Sequence, residues 1–304
     1  MILILGVTAS GKGKLAFALA KSLGAEIISI DSMKVYRRMD IGTAKPPKES
    51  RDQIPHHLID VVEPGESFSV ARFLELALES IDDIKKRNKP IVAVGGTALY
   101  IKSLLYGLFE GPGADEQIRD ELKAQVQAEG LDKLYEQLKT IDPEAASKIS
   151  ANDPRRIIRA LEVYKLTGKP ISAFQQQWDA NISHDWTIIG LRREKTEESK
   201  RINTRVKKMI DTGLVDEVKQ LLAEPIPLSK QARSAIGYAE IINHLAGQTT
   251  LDDAIELIKK NTRKLAKAQR TWFKTFKNVN SLDLAPDETV DSVLARAKEI
   301  LKIT

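Results

Sequence analysis

A short apolar run at the start of the chain leads straight into a glycine-rich segment and then into a helical pattern. The run covers residues 1–5, and apolar residues recur at helical spacing over residues 12–22. Between them the sequence fits G-x-x-x-x-G-K, which binds phosphate when it joins a strand to a helix. Such a loop turns backbone N–H groups and the positive end of a helix toward the phosphate. Its residues are Gly6, Val7, Thr8, Ala9, Ser10, Gly11, Lys12 and Gly13.

The last of these residues departs from the pattern. Gly13 stands where Ser or Thr normally supplies a hydroxyl oxygen to Mg²⁺. The protein ligand of the metal is therefore unknown, and Mg²⁺ is expected either to be held through water and substrate oxygens or to bind more weakly. The loop alone is compatible with three classes: a kinase or nucleoside triphosphatase, a transferase with a diphosphate leaving group, and a non-catalytic nucleotide-binding module.

Further apolar runs alternate with helical patterns, which is typical of a parallel sheet flanked by helices. The runs cover residues 25–30, 91–94 and 186–191, and helices are predicted over about 70–87 and 98–105. We expect these runs to be buried strands of one sheet.

A block of helical patterns interrupts this alternation. Its helices are predicted at about residues 115–129, 131–139, 143–149, 153–167 and 170–177, and from about residue 195 the chain is predicted to be helical again. The predicted fold class is α/β, with a parallel sheet core like that of P-loop NTPases, flanking helices and an inserted all-helical domain. The predicted domains are a core of residues 1–112 and 181–304 and an insertion of residues 113–180.

Composition and charge exclude several classes. The sequence contains no run of 18 apolar residues, so no membrane-crossing helix is predicted. The absence of cysteine excludes a disulfide framework, a thiolate metal site and a cysteine nucleophile. We expect a cytoplasmic protein without membrane contact. The net charge is +5, but residues 259–277 carry eight basic residues and no acidic one. This local basicity favours an anionic partner over an ordinary solvated face.

Polar residues follow two of the predicted strands. Asp31 comes directly after the second strand, and Thr97 follows a pair of glycines after the third. Ligands of open α/β sheets bind at such strand ends. Each residue also has a structural interpretation, a helix cap or loop salt bridge for Asp31 and a capped turn for Thr97. The adjacent His56 and His57 would point in opposite directions on an extended segment, so a shared metal site is not predicted.

Taken together, nine segments resemble the tRNA dimethylallyltransferase (tRNA isopentenyltransferase) family. They are Gly6-x-Thr8-Ala9-Ser10-Gly11-Lys12, Ile30-Asp31-Ser32, Met39-Asp40-Ile41-Gly42-Thr43-Ala44-Lys45-Pro46, His56-His57-Leu58-Ile59-Asp60, Gly95-Gly96-Thr97-x-Leu99-Tyr100, Asn152-Asp153-x-Arg155-Arg156-x-x-Arg159-Ala160-Leu161-Glu162-Val163, Gly213-Leu214-x-x-Glu217-Val218, Ile236-Gly237-Tyr238 and Lys267-x-Gln269-x-x-Trp272-Phe273. The resemblance extends over about residues 1–277. Gly13, where the family has Thr, and Val7, where Pro is common, depart from it.

The resemblance implies a prenyl transfer. Enzymes of this family move a dimethylallyl group from dimethylallyl diphosphate to N6 of adenosine 37 in tRNAs that read codons beginning with U. By family pattern, Asp31 would be the general base, Arg205 and Lys12 would bind the diphosphate, and Thr97 would contact the target nucleotide. The implied cofactor is Mg²⁺.

The resemblance also implies a set of tRNA contacts at the anticodon stem-loop. By family pattern they are Asp31, Ser32, Met33, Lys34, Thr97, Asn152, Asp153, Pro154, Arg155, Arg156, Arg233, Ser234, Ala235, Ile236, Gly237 and Tyr238. The spacing of basic residues adds a stripe along one predicted helix, made of Lys260, Arg263, Lys267, Arg270, Lys274 and Lys277. Its opposite face, with Leu265, Ala268, Trp272 and Phe276, is predicted to pack against the protein.

Three alternatives stay open at this point. An adenylate isopentenyltransferase would use free AMP, which requires neither a basic stripe nor a helical insertion. A P-loop small-molecule kinase would require a phosphoryl acceptor site, for which the sequence gives no clear residues. An RNA-binding module with a degraded phosphate loop would account for Gly13. We expect a monomer.

Overall fold

The computed structural model describes residues 1–108, 111–174 and 185–303. The chain divides into two compact units. The first comprises Met1–Leu105 and His184–Thr304, and the second comprises Tyr106–Ser183. The second unit is therefore inserted into the sequence of the first. The sequence predicted this insertion to begin at residue 113, and its predicted end at residue 180 lies outside the described residues.

A parallel sheet organises the first unit. Within the described residues it has six strands in the order β3-β2-β4-β1-β5-β6. They are β1 (Ile2–Gly6), β2 (Glu26–Ile30), β3 (His56–His57), β4 (Ile91–Gly95), β5 (Thr187–Arg192) and β6 (Val279–Asp283). The register places Leu3 of β1 opposite Ala93 of β4 and Ile188 of β5. These central strands are almost wholly buried, as expected for a sheet covered on both faces.

The helices follow in chain order through both units. They are α1 (Lys12–Leu23), α2 (Lys48–Gln53), α3 (Val70–Lys86), α4 (Ala98–Tyr106), α5 (Glu116–Glu129), α6 (Leu131–Ile141), α7 (Pro143–Lys148), α8 (Pro154–Thr167), α9 (Lys195–Asp211), α10 (Leu214–Leu222), α11 (Lys230–Arg233), α12 (Tyr238–Leu245), α13 (Leu251–Phe273) and α14 (Val290–Leu301). No described helix is long and apolar enough to cross a membrane.

One apolar cluster holds α1 against the sheet. Leu15 and Leu19 of α1 pack with Ile4 of β1 and, from far along the chain, with Val293 and Ala297 of α14. These side chains are at most 5% exposed. Burial of a Leu or Ile side chain contributes about 1.5–3 kcal/mol, so α14 helps to fix the helix that follows the phosphate loop.

The second unit has a core of its own. Leu122, Leu134, Leu138, Ile157 and Leu161 from helices α5, α6 and α8 are buried together. Aspartate side chains cap α5, α7 and α8 by accepting a hydrogen bond from the first turn. An independent core explains why this segment forms a compact unit by itself.

The strand and helix predictions are largely confirmed, although α2 and β3 were not predicted. There are three further differences. The sequence did not predict β6, because Val279–Asp283 is half exposed at the sheet edge and offers little apolar pattern. The stripe helix ends at Phe273, so Lys274 caps it and Lys277 lies beyond it. Of the helix predicted over residues 170–177, the structure shows a 3₁₀ turn at Ile171–Phe174, and the rest lies outside the described residues.

Candidate active site

The predicted phosphate loop lies between β1 and α1, at the carboxyl edge of the sheet. Gly11 has a φ of 102°, in the left-handed region that glycine adopts without strain. This turn starts α1 directly after the loop, and Lys14 N and Leu15 N bond to Gly11 O. The first turn of α1 thus faces the loop as an anion site requires.

Three arginines donate hydrogen bonds to this loop. Arg193 Nε donates to Ser10 O at 3.0 Å, and Arg201 Nε donates to Ala9 O at 2.9 Å. Arg205 Nη1 donates to the Thr8 hydroxyl at 3.1 Å. The sequence pointed to Arg205 only; the spacing of four between Arg201 and Arg205 on one helix face is a signal that could have found Arg201 as well.

Positive charge crowds the inner side of the loop. Burial and, to a smaller extent, the neighbouring Lys34 and Arg205 together lower the pKa of Lys12 to about 7, while Asp31 opposes the shift. Burial also lowers the pKa of Lys34 and of Arg205. The Lys12 ammonium donates to Val7 O at 3.2 Å. An anion bound here would relieve the repulsion among these cations and stabilise their charged forms.

Asp31 and Thr97 lie side by side beyond β2 and β4. Asp31 Oδ1 accepts hydrogen bonds from the backbone N–H groups of Met33 at 2.9 Å and Lys34 at 3.2 Å. The Thr97 hydroxyl accepts a bond from Ser32 N at 3.1 Å. Asp31 therefore caps the turn after β2, which is neither the helix cap nor the salt bridge that the sequence suggested, and Thr97 bonds to that same turn from the neighbouring loop. Both also line a cavity.

Two cavities meet at these residues. The first, which we call the Thr97 cavity, has a volume of 350 Å³ and includes Thr97, Leu99, Leu265 and Trp272 in its wall. The second, the Lys200 cavity, has a volume of 660 Å³ and is bordered by Lys14, Lys200, Arg201 and Lys208, with Glu197 among them. Four residues line both cavities: Lys12, Asp31, Lys34 and Arg205. The predicted catalytic residues are thus brought together.

The wall of the Thr97 cavity corrects one prediction. Leu265, Ala268 and Trp272 were predicted to pack into the protein, but they line this cavity, and Leu265 is 41% exposed. The face of α13 that packs inward carries Ala254, Ile258, Thr262, Ala266 and Gln269. Helical spacing alone could not separate a face that meets the core from a face that borders a cavity.

The glycine pair at the end of β4 lies in close packing. A Cβ atom on Gly96 would lie 2.6 Å from Gln269 Nε2, and one on Gly95 would lie 2.1 Å from Ile30 O. At Gly95 the obstacle is the backbone of β2, so a side chain does not fit, whereas at Gly96 the amide of Gln269 would have to move. The pair therefore lets the chain pass between β2 and α13 and brings Thr97 to the cavity.

The residues around the loop do not provide the usual protein anchor for Mg²⁺. Gly13 offers no side-chain oxygen, and no group of three His, Cys, Asp or Glu residues that could hold a metal is present in the described part of the chain. A Cβ atom added to Gly13 would meet nothing within 4 Å. Position 13 therefore has room for a hydroxyl-bearing side chain but lacks one.

Comparison with known proteins shows the family. A sequence model of "IPP transferase" matches residues 34–276, and one of "Isopentenyl transferase" matches residues 1–59. A tRNA dimethylallyltransferase of Geobacter metallireducens is 48% identical over 90% of this chain and 89% of its own. That of Acetivibrio thermocellus is 43% identical over 99% and 97%. The chain belongs to the tRNA dimethylallyltransferase family.

Solved structures of the family share the fold. A tRNA isopentenylpyrophosphate transferase of Bacillus halodurans is 41% identical, with a TM-score of 0.71, over 99% of this chain and 96% of that chain. A eukaryotic dimethylallyltransferase acting on tRNA is 28% identical, with a TM-score of 0.82, over 100% and 80%. The P-loop-like α/β fold class inferred from the sequence is confirmed.

Glu217 and Tyr238, from two of the family segments, hold the loop at residues 40–42 in place. The Glu217 carboxylate accepts hydrogen bonds from the backbone N–H groups of Asp40, Ile41 and Gly42 at 2.7–3.2 Å. The Tyr238 hydroxyl donates to the same carboxylate at 2.6 Å. Tyr238 is fully buried, and its burial and Glu217 raise its pKa. In the structure, the Tyr238 side chain helps to hold this loop through Glu217. An RNA contact at Tyr238 stays a prediction.

A buried lysine anchors the same loop from within. Lys45 Nζ donates to Tyr36 O at 2.8 Å and to Asp60 Oδ1 at 2.6 Å, and it also bonds to Asp40. Arg51 completes the group by donating to Asp60 at 2.6 Å. The sequence gave no signal for this cluster beyond the family segments that contain it.

Further predicted RNA contacts lie in two places, one in each unit. Arg155 and Arg156 are exposed in the first turn of α8 in the second unit, with exposed Asn152 before them; Asp153 caps that helix and Pro154 opens it. In the first unit Arg233 and Ser234 are exposed at the end of α11, Ala235 and Gly237 are buried, and Ile236 is half-buried.

The basic stripe on α13 divides into two kinds of residue. Lys260, Lys267 and Lys274 are exposed. Arg263 Nη1 instead donates to Asn203 at 2.8 Å, and Arg270 is ion-paired with the buried Glu198. Arg263 and Arg270 therefore attach α13 to α9, whereas the lysines, joined by Lys264, present charge to the solvent.

The two histidines lie on β3 at the far edge of the sheet. His57 Nε2 pairs with Glu26 Oε2 at 2.7 Å, and Arg87 Nη2 donates to the same oxygen at 2.9 Å. His56 Nδ1 bonds to Ile54 O at 2.7 Å. The hydrogen bonds from Arg87 and His57 lower the pKa of Glu26 to about 2, against the effect of burial. This cluster is structural.

Proposed function

We propose that this protein transfers the dimethylallyl group of dimethylallyl diphosphate to N6 of adenosine 37 in tRNAs that read codons beginning with U. The observation that carries the proposal is the meeting of the two cavities. Asp31, Lys12 and Arg205 line both the cationic Lys200 cavity and the Thr97 cavity with its apolar wall. A charged leaving group and an uncharged acceptor base can therefore approach the same point from two sides.

The reaction is an alkylation. The N6 lone pair attacks C1 of the dimethylallyl group, the C1–O bond breaks, and its electron pair leaves with the diphosphate. N6 then carries a surplus proton, which Asp31 accepts as general base. Its Oδ1 is already held by the N–H groups of Met33 and Lys34. These bonds fix the carboxylate before the substrate arrives.

Cationic side chains stabilise the departing diphosphate. Lys12 and Arg205 line the junction of the cavities, and the backbone of the loop adds N–H groups at the start of α1. Charge placed in advance where negative charge develops is usually the largest single contribution to catalysis. Arg205 can bond phosphate oxygens with two parallel N–H groups.

Mg²⁺ is part of the proposal only as an ion held by the substrate. Without a hydroxyl at Gly13, it would bind through diphosphate oxygens and water, and there it would neutralise negative charge. The surrounding cations, including Lys14, Lys34 and Lys208, provide positive charge independently of the metal.

The acceptor is proposed to be the anticodon stem-loop of tRNA, bound in the cytoplasm by a monomer. The exposed lysines of α13 and the exposed arginines of α8 match a polyanion better than a free nucleotide. Adenosine 37 must leave the loop stack to reach a recessed carboxylate, which costs least for an unpaired base. Leu99, Leu265 and Trp272 offer apolar surface to the displaced base and the dimethylallyl chain.

The test is one reaction with a parallel control. Purified protein is incubated with unmodified tRNA transcripts, dimethylallyl diphosphate and Mg²⁺, and the digested tRNA is examined by mass spectrometry. We expect N6-dimethylallyladenosine in the digested tRNA and no prenylated product from free AMP. Product from AMP alone would identify an adenylate isopentenyltransferase. Absence of product from wild type and from Gly13→Thr would overturn the proposal.

A further inference from the structure

Gln269 joins the two loops that border the active site. Its side chain projects from the inner face of α13, and the residue is only 8% exposed. Oε1 accepts a hydrogen bond from Thr8 N at 2.8 Å, and Nε2 donates one to Gly96 O at 2.8 Å. A backbone N–H can only donate and a carbonyl can only accept, so these partners fix the orientation of the amide.

Each of these loops serves one substrate of the proposed reaction. On the diphosphate side, the Thr8 hydroxyl accepts the bond from Arg205. On the acceptor side, Gly96 is followed by Thr97, whose hydroxyl accepts the bond from Ser32 N beside Asp31. Through Gln269, hydrogen bonds thus connect the diphosphate arginine with the turn that carries the general base.

The side-chain amide of Gln269 lies directly against Gly96. A Cβ atom on Gly96 would lie 2.6 Å from Gln269 Nε2 and 3.5 Å from Lys12 Nζ. A small shift of α13 would therefore move the loops or break the bonds of Gln269. The same helix presents Lys260, Lys264 and Lys267 to the solvent, where a polyanion can bind.

We propose that Gln269 is a positioning residue that couples RNA binding on α13 to diphosphate binding in the phosphate loop. RNA seated on the exposed lysines fixes α13, and Gln269 then holds Thr8 and Gly96 in the geometry that accepts the diphosphate. The inference rests on the proposed function for the nature of the two ligands. Coupling of this kind is reciprocal, so each ligand tightens the binding of the other.

The test measures this coupling directly. Inorganic pyrophosphate is titrated calorimetrically into the full chain, with and without an anticodon stem-loop RNA. Repulsion between two anions would weaken pyrophosphate binding. The proposal instead expects the RNA to tighten it by at least about fivefold in the wild type. In Gln269→Met, which keeps the side-chain length and loses both polar atoms, we expect the ratio of pyrophosphate affinities with and without RNA to fall to about one.

Thr262→Val is the matched control. Thr262 is buried on the same face of α13, two turns before Gln269, so this variant perturbs helix packing without touching the loops. We expect it to keep the coupling. Equal loss of coupling in both variants, full coupling in Gln269→Met, or no coupling in the wild type would each overturn the proposal.

Two further measurements keep the outcome interpretable. If Gln269→Met does not fold, Gln269→Glu replaces it: this variant keeps an acceptor toward Thr8 but puts an oxygen against Gly96 O, so coupling should again be lost. Product formation is measured on the same wild-type sample. Product formation without coupling would overturn this inference and leave the proposed function intact. Coupling without product formation would overturn the proposed function and leave the coupling role of Gln269 intact.

Discussion

The amino and carboxyl ends of the sheet's strands differ in whether their charged side chains have partners within the protein. At the amino end of β2, the buried Glu26 is bonded to both His57 and Arg87. At the carboxyl end, burial and repulsion from neighbouring cations lower the pKa values of Lys12 and Arg205. Charges that maintain the fold are satisfied within the protein, whereas charges at the active site are left to be satisfied by a ligand.

The largest effect is expected from removing the carboxylate at the active edge. Asp31→Asn keeps an oxygen that can accept the bonds from Met33 and Lys34, so the turn should persist. It cannot accept the N6 proton, and kcat should fall by about 10²- to 10⁴-fold. Single-turnover rates and thermal unfolding check both statements. If the melting temperature fell enough to account for the lost activity, Asp31 would have a structural role and not a catalytic one.

The matching change at the amino end of β2 should lower the stability of the fold and leave the catalytic rate nearly unchanged. Glu26→Gln deprives Arg87 and His57 of their anion, and the free energy of unfolding should fall by about 1–3 kcal/mol. Because the pKa of Glu26 is lowered from 4.5 to about 2, the wild type should hold this contribution above pH 4.5. It should lose it as the pH falls toward 2.

Urea unfolding of wild type and Glu26→Gln between pH 3 and pH 7 measures this difference. The two curves should converge at low pH. A constant gap across the range would show that packing, and not charge, is the contribution of Glu26.

Two cations on α13 sharpen the comparison within one helix. Lys267→Ala removes an exposed charge, so tRNA affinity should fall a few-fold and the slope of log affinity against log salt by about 0.7–0.9. Arg270→Ala leaves the buried Glu198 without its partner, so it should lower the unfolding free energy and change the salt slope less. Filter binding at several salt concentrations, together with thermal melts, distinguishes them. Equal salt slopes would contradict the division of the stripe.

The smallest effect concerns the metal. Gly13→Thr places a hydroxyl in open space at the start of α1. The Mg²⁺ concentration for half-maximal activity should fall a few-fold, with little change in stability because Thr is only modestly better than Gly in a helix, by about 0.5 kcal/mol. Gly13→Val is the control of similar shape without the oxygen. If Val lowers the Mg²⁺ requirement as well, the hydroxyl is not responsible.

Local patterns were enough to predict the phosphate loop and most of the strands. A buried run followed by G-x-x-x-x-G-K specifies its own geometry, because strand, loop and helix are adjacent in the sequence. The bonds from Arg193 and Arg201 to the loop could not be predicted this way, since their partners lie more than 180 positions away. β6 was missed because an edge strand needs only part of the apolar pattern.

The position of Asp31 and Lys12 at one end of the sheet was predictable, because each follows a buried apolar run or the glycine-rich loop directly. Their chemical roles came from the family resemblance and stay predictions. Glu217 and Gln269 could not be assigned, because carboxylates and amides on helices are usually exposed, and only the fold shows that both bond to loop backbone groups. Family segments mark such residues without saying whether they touch a substrate or the loop that does.

The packing of α14 on α1 has a consequence for synthesis on the ribosome. The helix that follows the phosphate loop emerges early, yet Val293 and Ala297, which cover part of its apolar face, are translated last among the described elements. Contacts this distant in sequence form slowly. The inserted unit, with its own local core, can fold in the meantime. We therefore expect the nascent chain to present an exposed apolar α1 to chaperones through most of its elongation.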